Sequence, residues 1–278
     1  MLEQLKYKNH LNEVFEFGKD GIYVNTGDLR DYEWSVSTKG RRISSFDYSV
    51  GKKKLPVVIV CDTEAQGIEA RNKLFEVVEK DVLARKHGQI IVGDYYLKGF
   101  VTASKKSNYL LQKRLMEAEL TISTDFPYWV KETTTPYSMV GAAATIGESG
   151  EFLDYPIPFP HDYYCDLNTK PLVNSNFVAS NFRLIIYGTC VNPTISIADH
   201  IYQVNCTVEA NEYLTIDSAT KKIFITGNDG TVRNVFNLRN RASYVFEKIP
   251  TGSNVVSWNG NFAFDIVLLE ERSEPKWT

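Results

Sequence analysis

Four cysteines in 278 residues is a small number, and their placement excludes more than their count. Cys61, Cys165, Cys190 and Cys206 include no Cys-x-x-Cys and are spaced too widely for a zinc ribbon. His10, His87, His161 and His200 stand apart with different flanks, so no His-x-x-x-His helix and no local metal-ligand set exists. There is no Gly-x-Ser-x-Gly for a nucleophile elbow, and Gly51-Lys-Lys-Lys54 lacks the upstream glycine of a phosphate-binding loop. No apolar run reaches the ~18 residues that a membrane helix needs. Residues 1–30 hold neither the apolar core nor the cleavage pattern of an export signal, so the expectation is a chain made in a cytoplasm, with no membrane insertion. Lys plus Arg number 31 against 34 Asp plus Glu, a net charge of −3, which gives no general drive toward nucleic acid. The expected catalytic, cofactor and metal residues are none.

What the sequence does have, from Phe177 to Leu268, is one short strand after another. Arg183-Leu-Ile-Ile-Tyr187 stops at Gly188, while Thr194–Ile197 and Ile201–Val208 alternate apolar with polar. Tyr213-Leu-Thr-Ile216 and Lys222-Ile-Phe-Ile-Thr226 flank the turn formers Asp217-Ser-Ala-Thr-Lys221, which predicts a hairpin. Val232 to Leu238 and Tyr244-Val-Phe246 read as further strands. Ile249 to Asn254 breaks the pattern before Val255–Trp258, and Phe262–Leu269, the most apolar strand, is expected at the centre of a sheet. Turn signals about every 8–12 residues, without helical periodicity, argue for a two-sheet sandwich.

The first half is different. Val57-Val-Ile-Val-Cys61 reads as a buried strand, and Thr63 with Gln66 has the spacing of a capping box. Ile68, Leu74, Phe75, Val78 and Val82 form a stripe at helical spacing, with Arg85, Lys86 and His87 at the dipole's negative end and Gly88 as the stop, so a helix over 63–87 is predicted. Strands resume at Gln89–Val92 and Tyr95–Val101. Arg114 to Ser123 alternates as a strand, although Leu110–Met116 alone also fits a helix. The fold class expected is therefore mainly β: an α+β N-terminal domain with one long helix, then a C-terminal β-sandwich. Periodicity is lost around 135–150, and Tyr155-Pro-Ile-Pro-Phe-Pro160 forbids helix, which places the domains at 1–140 and 141–278.

Three sets of residues invite a functional reading. Lys39-Gly-Arg-Arg42 and Lys52-Lys-Lys54 suit DNA in a tube or an acidic protein, against the plainer reading of two solvated loops bounding a hairpin. Asp154, Asp162 and Asp166 beside Tyr155, Tyr163 and Tyr164 suggest a glycosidase cleft only if two carboxylates flank a sugar, which sequence does not fix. The reading favoured there is an acidic, aromatic crossing and no enzyme. Cys61 and Cys206 read as buried thiols, and a Cys190–Cys206 bridge stays open.

The order of parts resembles the distal tail protein (Dit) family of long-tailed bacteriophages. It is carried by the strand-helix-strand unit at 57–101, the Ala118–Tyr128 strand ending Asp-Phe-Pro-Tyr, and the proline-rich crossing. It continues through Tyr213-Leu-Thr-Ile-Asp217, Asn234-Val-Phe-Asn-Leu238, Ile249-Pro-Thr-Gly-Ser-Asn-Val255 and the closing Glu-Arg-Ser-Glu-Pro-Lys-Trp277. The resemblance implies a galectin-like sandwich and a structural virion protein at the tail tip. It implies a homohexameric ring that joins the tail tube protein to a tail-associated lysin or tip protein and to receptor-binding or baseplate proteins. The alternative is a carbohydrate-binding tail or adhesion module. Galectins read sugar with His-x-Asn-Pro-Arg and Trp-x-x-Glu-x-Arg. Cys190-Val-Asn-Pro-Thr194 lacks the His and Arg and Trp258-Asn-Gly-Asn261 lacks the Glu, so Trp258 is expected as a core or sheet-face residue.

Overall fold

The computed structural model describes residues 5–19, 21–24, 27–48, 51–110, 114–139 and 170–277. The proline-rich crossing, its carboxylates and tyrosines, Cys165 and His161 lie outside the described residues. The protein is mainly β. It divides into two compact units, Met1–Lys131 with Glu271–Thr278, and Glu132–Glu270.

The first unit opens with β1 (Leu5–Lys8), β2 (Val14–Glu16), β3 (Ile22–Val24) and the single turn α1 (Gly27–Arg30). It continues with β4 (Ser35–Lys39), β5 (Arg42–Asp47), β6 (Gly51–Val60), α2 (Glu64–Ala84), β7 (Gly88–Val92), β8 (Tyr95–Leu110) and β9 (Leu115–Thr124), and β10 (Trp129–Tyr137) begins in it. β9 alternates half-buried and buried residues along its whole length, as its sequence predicts, and pairs antiparallel with β6 and β8. Strands occupy both sides of 111–113, so the helical alternative for 110–116 fails. Leu5, Ile22, Leu55, Ile59, Leu74, Leu97, Ile122 and Trp129 make the core.

The predicted helix spans Glu64–Ala84 and its capping box is present, with Gln66 N donating to Thr63 Oγ1 and Thr63 N to Gln66 Oε1, both at 3.3 Å. Its other end differs from expectation. Arg85, left-handed at φ 53°, makes the cap through N–H bonds to Asp81 and Val82 carbonyls. Gly88 is glycine for another reason: a Cβ there would collide with the Tyr7 hydroxyl and the Asp81 carboxylate. The buried face is also turned from the predicted stripe. Gly67, Ala70, Arg71, Leu74, Val77, Val78 and Asp81 face inward, whereas Ile68 and Val82 are 39% and 38% exposed. Asp81 is the physical cause. Its Oδ2 accepts from Tyr7 Oη at 2.6 Å, and Oδ1 accepts from His10 N at 2.8 Å and meets His10 Nδ1 at 2.5 Å. A carboxylate held by these donors belongs inside, and the helix rotates to put it there.

The closing segment packs in this unit. The buried Arg30 donates to Pro275 O at 2.9 Å, lies 3.8 Å over the Trp277 ring and stands 3.8 Å from Glu274 Oε1. Beside it Lys53 turns inward and donates to the carbonyls of Leu29, at 2.9 Å, and Asp31. Burial pulls the Lys53 ammonium below its ordinary pKa, and Asp31, Asp28 and Glu274 partly oppose that.

The second unit contains β11 (Lys170–Asn174), β12 (Asn181–Tyr187), β13 (Cys190–Val191), β14 (Thr194–Ile197), β15 (His200–Gln203) and β16 (Thr207–Val208). β17 (Tyr213–Asp217), β18 (Lys222–Thr226), β19 (Val232–Asn234), β20 (Gly252–Trp258) and β21 (Phe264–Arg272) follow. One sheet runs β19-β18-β17-β12-β21 and the other β11-β20-β14-β15, with β13 and β16 as a small pair. Phe182, Leu184, Leu214, Ile216, Phe264 and Ile266 from the first sheet meet Leu172, Ile195, Ile197, Tyr202 and Val256 from the second in one core. This is the expected sandwich. β21 is central, flanked by β12 and β10. The β17–β18 hairpin lies where Asp217–Lys221 predicts it.

One expected strand is shorter than expected and another is a turn. β19 stops at Asn234, whose Oδ1 accepts from Phe236 N at 2.9 Å and starts a 3-10 turn over Phe236–Leu238. Tyr244–Phe246 forms a turn closed by Glu247 N to Tyr244 O at 3.0 Å, with Val245 and Phe246 still buried. Cys190 and Cys206 are free and buried, so the bridge left open is absent, and burial with Cys206 nearby pushes the Cys190 thiol up to about 11. Cys61 falls just past β6, half-buried and in no disulfide among the described residues.

Candidate assembly surfaces

Each described histidine has a hydrogen-bonding partner. His10 is held by Asp81, His87 Nε2 lies 2.8 Å from Asp125 Oδ1, and His200 Nε2 is 2.9 Å from Tyr244 O. Among the described residues no three His, Cys, Asp or Glu side chains converge as a metal site would require. Trp258 is half-buried; its Nε1 donates to Phe262 O at 3.2 Å and its ring packs edge-on to Phe264 and Tyr137. Sequence reading missed one pair. Tyr187 Oη donates to Asp265 Oδ2 at 2.7 Å, and that carboxylate, before burial, raises the phenol to about 12.

The two basic clusters separate in character. Lys52-Lys-Lys54 is not a loop but part of β6, where alternation buries Lys53 and leaves Lys54 3.3 Å from Glu119 Oε1. Only Lys39-Gly-Arg-Arg42 is a solvated turn, joining β4 to β5 with Gly40 at φ 65°.

That hairpin is exposed on every residue of both strands, and each strand pairs only with the other. Val36 lies opposite Phe46 and Thr38 opposite Ile43. A bulge at Ser44 admits one extra residue into β5, and this brings Ile43 to the same face as Phe46. Val36, Ile43 and Phe46 are 50%, 58% and 60% exposed, while Ser35, Ser37, Ser45 and Asp47 line the opposite face. The base is fixed by aromatic contacts: Trp34 stacks on Tyr48 at 5.1 Å, Tyr48 meets Tyr128 at 5.2 Å, and Tyr128 meets Phe126 at 5.4 Å. The result is an arm with a rigid root, an apolar side and a cationic tip.

A second open surface runs along α2. Ile68, Val82 and Leu83 are exposed there, together with Glu69, Glu76 and Glu79. Ile68, Glu69 and Glu76 line a shallow groove together with Glu13, Asn72, Lys73 and Lys80. Lys80 is bound to Glu13 at 2.8 Å, but Glu69, Glu76 and Glu79 make no ion pair among the described residues.

No family model and no curated protein matches the sequence. Solved structures do match. The Dit (gp 19.1) protein of phage SPP1, described as a paradigm of the hub adsorption apparatus in phages infecting Gram-positive hosts, aligns at 10% identity and TM-score 0.57 over 98% of this chain and 100% of its own. A chain of the phage P2 baseplate in its activated conformation with calcium aligns at 12% identity and TM-score 0.64, over 99% and 100%. The same baseplate with strontium gives 12% and 0.63. The fold is a Dit fold. At such identity the likeness establishes architecture, and it spans both units.

Proposed function

We propose that this chain is a structural, non-enzymatic protein of a phage tail. In this reading it forms a hexameric hub ring at the distal end of the tail tube and carries the tip or baseplate. The observation that supports it is the end-to-end likeness to hub and baseplate chains, with none of those chains extending past this one. The expected partners are other copies of the chain, the tail tube protein, a tail-associated lysin or tip protein, and receptor-binding or baseplate proteins. In this proposal the domains expected at 1–140 and 141–278 divide the work: the first closes the ring and the second, the sandwich, carries the attached parts. The protein acts in the virion after synthesis in the host cytoplasm. A ring needs complementary surfaces that close by rotation and needs no reacting group. The sugar-binding alternative has little support, because Trp258 is taken up by the core.

The test is light scattering of the purified chain with electron microscopy of tails assembled in its presence and absence. Six copies at the tip, and tails that stop short of a tip without the protein, are expected. A monomer in solution and on tails, or normal tips in its absence, overturns the reading.

A further inference from the structure

We infer that the β4–β5 arm of one copy docks on the outer face of α2 of the next. This rests on the ring reading and names the contact that the ring would use. An isolated two-stranded hairpin is marginal in water, and one that aligns Val36, Ile43 and Phe46 on an open face gains from being covered. The arm's tip carries Lys39, Arg41 and Arg42, none in an ion pair among the described residues. The α2 face offers the complement: Glu69 and Glu76, without ion pairs among the described residues, line a groove with the exposed Ile68, in which Lys80 is taken up by Glu13 and Lys73 reaches over the Phe15 ring. Cations meet carboxylates and apolar side meets apolar side, so one choice of partner satisfies both surfaces. That partner is a second copy of this chain. The two patches differ, so each copy uses its arm on one neighbour and offers its helix to the other, which is the head-to-tail geometry that closes into a ring.

The full-length protein, purified and assembled on tails, provides the test. Arg42→Glu and Glu76→Arg are made singly and together, and Ile43→Cys with Ile68→Cys is made for oxidative cross-linking. Each charge reversal should reduce ring formation by about tenfold and the double variant should recover most of it, since opposite charges are restored. The cysteine pair should cross-link copies into a ladder that ends at the ring. Rings that form normally in both single reversals, or show no cross-link, overturn the contact while leaving the ring standing. If the unmodified chain forms no ring in either setting, the ring reading and this contact fall together. Rings that persist while the reversals weaken binding to DNA or to another tail protein reassign the arm to that partner and overturn the inference.

Discussion

The first unit buries Arg30, Lys53, Arg71 and Asp81, whereas the polar groups inside the second are nearly all uncharged: Asn174, Asn176, Ser180, Thr215, Ser218 and Asn254, with Glu270 as the exception. The placement differs too. In the second unit the amides serve turns. Asn174 Nδ2 donates to Ile249 O at 3.0 Å and Asn254 Nδ2 to Pro250 O at 2.9 Å, holding the turn around Gly252, which sits at φ 90°. In the first unit the charges bind separate elements: Asp81 ties α2 to β1, Lys53 ties β6 to the α1 turn, and Arg30 ties α1 to the closing segment. A sandwich with two interdigitating sheets is positioned by its apolar core alone. A helix on a sheet and a single helical turn have fewer apolar contacts, and charged hydrogen bonds define their orientation.

If that comparison holds, the largest effect belongs to Asp81→Ala. Removing the carboxylate strands the Tyr7 hydroxyl and the His10 amide inside, at a cost of about 3–5 kcal/mol. Thermal melting should show the first unit's transition falling and the sandwich's unchanged. A joint fall would mean that the two units share one cooperative core.

Leu74→Ala follows, at about 2–5 kcal/mol for a side chain 1% exposed, again in the first unit alone. The matched control is Ile68→Ala. Equal in the predicted stripe but turned outward, it should change stability by less than about 0.5 kcal/mol in dilute protein. Comparable losses at both positions would restore the stripe as read from the sequence.

That control marks where legibility ended. The capping box at Thr63 and Gln66 and the alternation of β9 were readable because each depends on neighbours in sequence. The rotation of α2 was not, since its cause, Tyr7 and His10 closing on Asp81, is more than 70 residues away. The arm was misplaced for the opposite reason: a hairpin was expected between the two basic clusters and it folds around the first. Ser35–Lys39 and Arg42–Asp47 point nothing into the core, so they lack the apolar alternation that betrays a strand, and only the basic turn drew attention. Lys53 was read with its neighbours as solvated, although strand alternation from Leu55 backwards assigns it to the inner face.

A smaller effect distinguishes the units by pH. Salt-bridge partners hold Glu16 down at about 2 and lower Glu13 and Asp94, all in the first unit, against Asp229, lowered by hydrogen bonds from Thr231, in the second. A carboxylate with a depressed folded pKa stabilises above its unfolded value and loses that contribution as pH falls through the folded one. The first unit should therefore weaken slightly more between pH 4.5 and about 2, slightly because exposed pairs contribute little. Tyr137 and Tyr187, raised to about 12, and Tyr202, raised further by burial, are in the second unit. Raised phenols stabilise below pH 10 and lose that contribution as pH climbs through about 12, so alkali should weaken the sandwich. Tyr7, Tyr48 and Tyr128, all raised chiefly by burial in the first unit, oppose this contrast, while Lys53, lowered, gains stability as pH rises toward 10.5. Melting both units from pH 2 to 11 checks the signs, and an order reversed at either end breaks the comparison.

The smallest expected effect is none at all. A sandwich positioned by its apolar core has its aromatic residues already in use, and Trp258 is the clearest instance: its Nε1 is bound to Phe262 O and its ring packs edge-on to Tyr137 and Phe264. These edge-on contacts are to rings that stack on each other at 4.7 Å, whereas a sugar-stacking tryptophan needs a free face with polar groups beside it. The neighbouring Asn259-Gly-Asn261 segment spends an amide oxygen on its own turn, Asn259 Oδ1 accepting from Asn261 N at 3.2 Å. Calorimetric titration of the full chain with lactose should give no heat beyond dilution. Micromolar binding that Trp258→Phe abolishes, with the sandwich still melting as before, would show that the ring is reached by sugar, and the second unit would then be a reader of glycans and not only a scaffold.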